Sequence, residues 1–318
     1  GLGRRGGRGG GAGVLRPLLM SSRPAEGPDV CPVPAGLDQA MEQCGAAVSS
    51  ALLSGNRGMT IDVFTPDLDP MSRGFDMANM HRLCMGVADC LRKFTGDGEI
   101  KFVVQDFSKA TSLVSALKES EVYGELVGEG KITVDSLLGS LSLADSKDAA
   151  AVVLVMPTNT LETKVTKEVR DLLKSCRGSI TVVVNQAMDT LGPNGQPLGT
   201  LPMEIDNLER VFYLEPFSLQ ASPQGGAPPP PASPDAVAED GDVGTGGGEG
   251  ADSTSAEPVQ SGPAPLRIAV TRATPGEWGV WAFQDEDQRY ELQKAFRAKP
   301  SRRVLLEVCQ AIIKSRTS

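Results

Sequence analysis

Aromatic side chains are scarce in this chain, at 4% of 318 residues. A core with so few rings must be built from aliphatic residues and alanine. Histidine is scarcer still, since His81 is the only one. Zinc-hydrolase chemistry, which usually recruits two or three imidazoles, therefore lacks its ligands. A single imidazole also leaves one general base of the usual type. None of the six cysteines (31, 44, 84, 90, 176 and 309) forms a C-x-x-C pair. Cys84 and Cys90, on one helix, would point about 240° apart and could not share a metal. Cysteines spread in this way through a core-forming chain read as reduced thiols rather than as a disulfide framework. Long apolar runs are absent too. The longest, Ala149–Met156, has eight residues, against the roughly 20 that a spanning helix needs. Positive charge is not in excess, with a net charge of −9. That argues against a general nucleic-acid binder, which needs a cationic surface to neutralise phosphates.

Glycine and proline are abundant, at 36 and 23 residues, and much of that total sits in two biased segments. Residues 1–28 carry five Arg and no acid before Glu26. Arg-rich, acid-poor N-termini of this kind resemble organelle transit peptides, so this stretch is expected to be a disordered basic tail or a transit-peptide remnant. Residues 221–265 hold nine Pro, nine Gly and seven acids, with no basic residue and no Leu, Ile or aromatic. Such a composition cannot bury enough surface to offset its ordering entropy, and it reads as a disordered acidic linker. It carries seven of the nine net negative charges, so the folded part is only mildly acidic.

Between these segments the hydrophobic period alternates. Leu37, Ala40, Met41, Cys44, Ala47, Val48, Ala51 and Leu52 recur at helical spacing, and Gly55 ends that helix. Residues 59–65 read as a strand. Met77, Met80, Cys84, Val87, Leu91 and Phe94 mark a second helix. Residues 101–105 form a strand and 108–118 a helix. The run 151–156 is continuously apolar, as a central strand covered on both faces would be. Leu161, Val165, Val169, Leu172, Leu173 and Cys176 make another helical stripe, which Gly178 stops. The β-branched stretch 180–184 is a strand, and 211–214 another that is expected to end at Pro216. After the linker, 267–272, 278–283 and 290–296 are strand-like, and Val304, Leu305, Val308, Ile312 and Ile313 make a final helix. The expected fold is α/β: a mainly parallel, Rossmann-like sheet with flanking helices over residues 29–220. Residues 266–318 complete the same domain with an antiparallel β-meander and a helix.

Candidate sites are few. Gly124–Lys131 approaches a P-loop, but its glycines are one residue too far apart and Ile132 stands where Ser or Thr would hold magnesium. In open α/β sheets, ligands sit at the carboxyl ends of parallel strands. Those ends carry Asp106, Asn159, Asn185 and Gln186 here, a polar group able to grip a small molecule or nucleotide. Helix capping competes for the same residues: Asn159 and Glu162 resemble a capping box, and Asp106 can cap the next helix. Asp67 and Asp69, between Pro66 and Pro70, read as a loop rather than a magnesium site. His81 lies on the polar flank of its helix and is expected to be solvated. No G-x-S-x-G elbow supplies a nucleophile for it. Trp278 and Trp281 are three apart on a strand, so they face opposite ways. Both, in the hairpin Pro275–Trp281, are candidate partner contacts, since exposed Trp is an effective anchor; the competing reading places both indoles in the core. No catalytic residue, cofactor or metal is expected.

Several strings, in order, resemble a plant, algal and cyanobacterial domain-of-unknown-function family. They are Ala51-Leu52-Leu53-Ser54-Gly55 leading into Met59-Thr60-Ile61-Asp62-Val63, then residues 151–157, Val182-Val183-Val184-Asn185 and Glu209-Arg210-Val211-Phe212-Tyr213-Leu214. The most specific is Pro275-Gly276-Glu277-Trp278-Gly279-Val280, preceded by Thr271-Arg272. That family includes the plastid low photosystem II accumulation assembly factors. The resemblance implies a non-enzymatic chloroplast factor of the stroma or the stromal face of the thylakoid. It would support photosystem II assembly or thylakoid biogenesis through protein partners, with peripheral membrane contact at most. The alternative is a small-molecule or nucleotide-binding α/β enzyme using the strand-end residues.

Overall fold

A computed structural model of the chain describes residues 29–138, 148–158, 163–188, 201–219 and 265–317. The expected helical stripes form α1 (Leu37–Leu53) and α2 (Met77–Thr95). Asp76 caps α2 by accepting from the Ala78 N–H at 2.9 Å, and Gly96 ends it at φ +58°, a left-handed conformation that glycine adopts without penalty. Strands β1 (Gly58–Val63) and β2 (Ile100–Val104) precede α2 and α3 (Phe107–Glu119), respectively. Three elements are additional to those read from the sequence: one is the short helix Met203–Asp206 further along the chain, and the other two are adjacent, α4 (Glu121–Gly128) and β3 (Ile132–Ser136). The adjacent two occupy the stretch that approached a P-loop, so Gly124 lies inside a helix and Gly130 forms the turn that follows.

Next come β4 (Ala151–Val155), α5 (Thr163–Ser175), β5 (Ile180–Val184), the short α6 (Met203–Asp206) and β6 (Glu209–Leu219). The capping-box residues Asn159 and Glu162, the stripe residue Leu161, the basic tail and almost all of the acidic linker lie outside the described residues. The chain finishes with β7 (Leu266–Ala273), β8 (Trp278–Gln284), β9 (Arg289–Phe296) and α7 (Arg302–Thr317).

All nine strands form one sheet, in the order β3-β2-β4-β5-β1-β6-β7-β8-β9. It is parallel from β3 through β6 and antiparallel from β6 through β9. The expected parallel sheet with an antiparallel meander and final helix is therefore what the chain forms. Helices α1 to α4 cover one face, packing on Ile61, Phe102, Val153 and Val182. Helices α5 and α6 cover the other, on Val152, Leu154 and Val183. Strand β6 alternates Phe212 and Leu214 into the first layer with Tyr213 into the second. Helix α7 packs on Tyr213, Val270 and Val280, so it shares a face with α5 and α6.

Three local readings change in three dimensions. Strand β6 does not stop at Pro216. Its partner β1 ends opposite Leu214, whereas β7 pairs as far as Leu219. Pro216 thus sits on an edge, where its missing N–H costs no ladder bond. His81 is not solvated but buried, at 9% exposure. Helix α2 is wedged between α1 and α3, so its flank is covered as well as its apolar stripe. The string 275–280 proves to be a packing motif. Glu277 N–H donates to Asp29 O at 2.9 Å, and the Thr271 hydroxyl to Cys31 O at 2.6 Å. A Cβ on Gly276 would lie 2.4 Å from Asp29 O, and one on Gly279 2.4 Å from Val30 Cγ1. Both glycines are small because residues 29–31 cross directly above them.

Trp278 is part of the α7 core, 3% exposed, with its ring 5.1 Å from that of Tyr213. Trp278→Ala is expected to cost about 3–5 kcal/mol, measured by urea denaturation. A loss under about 1 kcal/mol would contradict the core placement.

Candidate functional site

Open α/β sheets bind ligands where neighbouring strands send their connections to opposite faces. This sheet has two such places, and both are filled by the protein's own side chains. The first lies between β2, which leads to α3, and β4, which leads to α5. There Gln105 Nε2 donates to Thr158 O at 3.4 Å, and the Thr158 hydroxyl donates back to Gln105 Oε1. Asp106 stands beside them as the cap of α3, accepting from the Lys109 N–H at 2.9 Å and pairing with its ammonium at 3.2 Å. Desolvation pushes its carboxyl up, but the Lys109 and Ser108 contacts outweigh that and hold it below its usual range. Asn159, expected in the same crevice, lies outside the described residues.

The second place lies between β5 and β1. Asn185 is buried in it, at 0% exposure. Its Oδ1 accepts from Val63 N–H at 2.6 Å, and its Nδ2 donates to Val63 O and Leu68 O, both at 2.8 Å. The side chain replaces a backbone partner for the last residue of β1. The backbone of Asn185 is left-handed, with φ +48°, a region that Asn tolerates better than other non-glycine residues. Gln186 is likewise buried, and its Oε1 accepts from Met188 N–H at 3.1 Å. The expected set thus divides: Asn185 and Gln186 are adjacent between β5 and β1, and Asp106 belongs to the other crevice.

A cavity of about 830 Å³ lies next to the second crevice on the α7 face. Its floor is the far half of β6, with Tyr213, Glu215 and Phe217. One wall is the start of α7 with the corner before it, including Lys299, Arg302 and Leu306; the other is the loop after β1, including Asp69 and Met71. Beneath it, Arg210 pairs with the fully buried Asp62 at 2.6 Å. The Arg210 guanidinium is 5.4 Å from the Tyr213 ring centre and the Lys299 ammonium 5.0 Å from it. The Tyr213 hydroxyl donates to Glu215 Oε2. Burial, reinforced by Glu215 and Asp62, drives the Tyr213 phenol far above its ordinary pKa, so it remains a protonated donor. Met71 and Leu306 are large apolar residues left 55% and 49% exposed at the rim.

Gln186, a strand-end candidate from the sequence, and Ala187 also line this cavity from the end of β5; Asp69 reads from the sequence as loop, and the other lining residues named here were not candidates. One signal was available: residues 297–303 contain four cations and no acid. Another was Leu306, which lies off the apolar stripe of its helix. Trp281 lies outside this cleft. Its indole N–H donates to the Thr271 hydroxyl at 2.8 Å, beside the crossing N-terminal segment. Among the described residues, no group of three or more His, Cys, Asp and Glu is placed to hold a metal ion, and no helix is long and apolar enough to cross a membrane.

The molecule is thus a mixed sheet with side chains seated in its strand-end crevices and an open amphipathic cleft beside them. The model of the DUF1995 family, a domain of unknown function, matches residues 34–305, and the chain belongs to that family. The search of curated proteins finds no match.

Asn185→Ala would orphan three buried backbone groups, and about 3 kcal/mol or more of stability should be lost. Asn185→Gly, free to adopt the left-handed backbone, should lose less, as the difference in urea midpoints would show. Equal stability of wild type and Asn185→Ala would refute the plug. Burial lowers the pKa of His81, with Asp76 and Glu119 partly opposing, and its Nε2 has no partner among the described residues. The unfolded chain therefore takes up a proton near the ordinary value of 6.5, before the folded chain does. Stability is full above that value and falls as pH drops through it towards the lowered folded pKa. The decline in melting temperature between about pH 7 and about pH 5.5 should shrink in His81→Asn. Identical slopes would rule out a desolvated imidazole.

Proposed function

We propose that this protein is a non-enzymatic chloroplast factor, in the stroma or on the stromal face of the thylakoid. It supports photosystem II assembly or thylakoid biogenesis by binding protein partners. Membership of the DUF1995 family and the ordered strings that resemble the plastid assembly factors support the setting. One observation carries the binding mode: the cleft beside α7, where Met71 and Leu306 stay exposed next to the cations Lys299 and Arg302. Exposed apolar groups rimmed by charge are characteristic of surfaces that bind other macromolecules. The plugged crevices also weigh against a strand-end enzyme site, because the Asn185 amide is fully committed to Val63 and Leu68.

The test is affinity purification of the tagged full chain from chloroplast extract, with Leu306→Glu in parallel and identification by mass spectrometry. Photosystem assembly components should co-purify with the wild type and fall ~10-fold or more with the variant. The melting temperature should move by no more than about 3 °C, since Leu306 is a surface position. Undiminished recovery with Leu306→Glu, or a wild-type eluate without photosystem components, would overturn the reading.

A further inference from the structure

We propose that the cleft takes an extended segment of a partner protein, alternating acidic and apolar residues, as an added β-strand on the free edge of β6. This deepens the protein-binding reading above and rests on it.

The edge is created by a mismatch in strand length. Strand β1 pairs with β6 only as far as Val63 opposite Leu214, with one more bond from Phe64 N–H to Leu214 O at 2.8 Å. Strand β6 continues to Leu219 against β7 alone. Main-chain groups alternate sides along a strand. Leu214 O points towards β1, and Val211 O accepts from Thr274 N–H on the β7 side at 2.8 Å. The even-numbered residues therefore face away from β7. Pro216 O and both main-chain groups of Ser218 are open, with no partner among the described residues. Ser218 is exposed. A strand laid there would continue the line of β1.

Each side of that line has a cavity. The cleft of about 830 Å³ opens on the α7 face, and a second cavity of about 230 Å³ on the α1 face. The smaller one is lined by Pro34, Leu37, Ala40, Val63 and Leu214, with Asp67 at its margin. Successive side chains of an added strand point to opposite faces, so one set would enter each cavity. The larger holds Lys299 and Arg302, in the basic run 297–303. No carboxylate among the described residues pairs with Arg302. Glu215, also in this cleft, already accepts the Tyr213 hydroxyl, and Asp69 accepts Met71 N–H at 2.9 Å. Acidic side chains therefore suit the α7 side, and apolar ones the α1 side. Pro216 offers no N–H, so the edge cannot zip fully with an identical edge, a common guard against self-pairing. Strand addition of this type derives affinity from main-chain bonds and specificity from alternate pockets.

The probe is a fluorescein-labelled, N-acetylated, C-amidated heptapeptide of alternating Val and Glu, titrated against the full chain by fluorescence anisotropy. Wild type should bind it, and binding should weaken with salt. The fully N-methylated peptide, which keeps the side chains but cannot pair, should not bind. Ser218→Pro removes only the open donor and should weaken binding ~10-fold. The double variant Lys299→Glu with Arg302→Glu should prefer a Val/Lys peptide. Equal binding of the N-methylated peptide overturns the proposal, as does no binding by wild type. Should Ser218→Pro fail to fold, the N-methylated peptide on wild type still decides. Binding that appears only after deletion of residues 221–262 would make the chain's own acidic segment the occupant. A dimer in light scattering that Ser218→Pro dissolves would make it a second copy. Both results overturn a foreign partner. If the peptide fails while Leu306→Glu still abolishes co-purification, the cleft binds protein through side chains alone and only the added strand is lost.

Discussion

The Asn185 side chain holds the carboxyl edge of the sheet in place. Its amide hydrogen-bonds both main-chain groups of Val63 and reaches on to Leu68 O. In doing so it ends β1, turns the following loop over the top of β5, and closes the crevice between the two strands. An amide can do this where a carboxylate cannot, because the site needs one acceptor and two donors at once. With β1 stopped at Val63, the far half of β6 has β7 on one side and no strand on the other. The step in the sheet, the cavities on its two faces and the exposure of Met71 all follow from that early ending.

Beneath the step the sheet is unusually polar. Asp62 is fully buried on the central strand and pairs with Arg210. A buried ion pair is weak evidence for stability, since an apolar pair of similar volume often does as well. Its position matters more. Arg210 lies against Tyr213, and Tyr213 donates to Glu215, so a chain of polar contacts runs from the sheet interior to the cleft floor. That floor is rigid because each polar group is held by the next. Helix α7 then adds Lys299 and Arg302 from the opposite wall. The cleft is thus preformed by the fold, which reduces the ordering that a partner's binding would require.

Most of the architecture could be read from local sequence, and the reason is physical. Strands β4 and β5 are buried on both faces, so β4 is an unbroken apolar run and β5 is β-branched throughout, and helices α1, α2 and α5 carry clean stripes. Misreadings occur where a residue's environment comes from far along the chain. Pro216 looks like a strand terminator until β7 pairs past it. His81 looks solvated until α3 covers the flank of α2. The pair α4 and β3 is short, glycine-containing and only partly buried, so its period is faint. The same logic separates the site residues. Asp106 as a cap is legible because capping is local. The role of Asn185 depends on Val63, 122 residues away, and no pattern within a window reveals it. The cleft draws on the loop after β1, the end of β6 and the start of α7, which meet only in the folded chain.

The most specific sequence string teaches a related lesson. Pro275-Gly276-Glu277-Trp278-Gly279 carries a tryptophan and two glycines, a combination that invites a binding role. In the structure the glycines admit the crossing segment 29–31, Trp278 anchors α7, and Trp281 donates to Thr271, which in turn holds Cys31. The string fastens the beginning of the fold to its end. That closure fixes the meander and α7 relative to β6, and α7 forms a wall of the cleft. A motif can therefore bear on the proposed binding surface without lining it, by setting the distance between the walls of the cleft. In this chain the recognisable residues build the scaffold, while the proposed binding surface is made of residues such as Met71, Ser218 and Leu306, which look ordinary until the strand beside them ends.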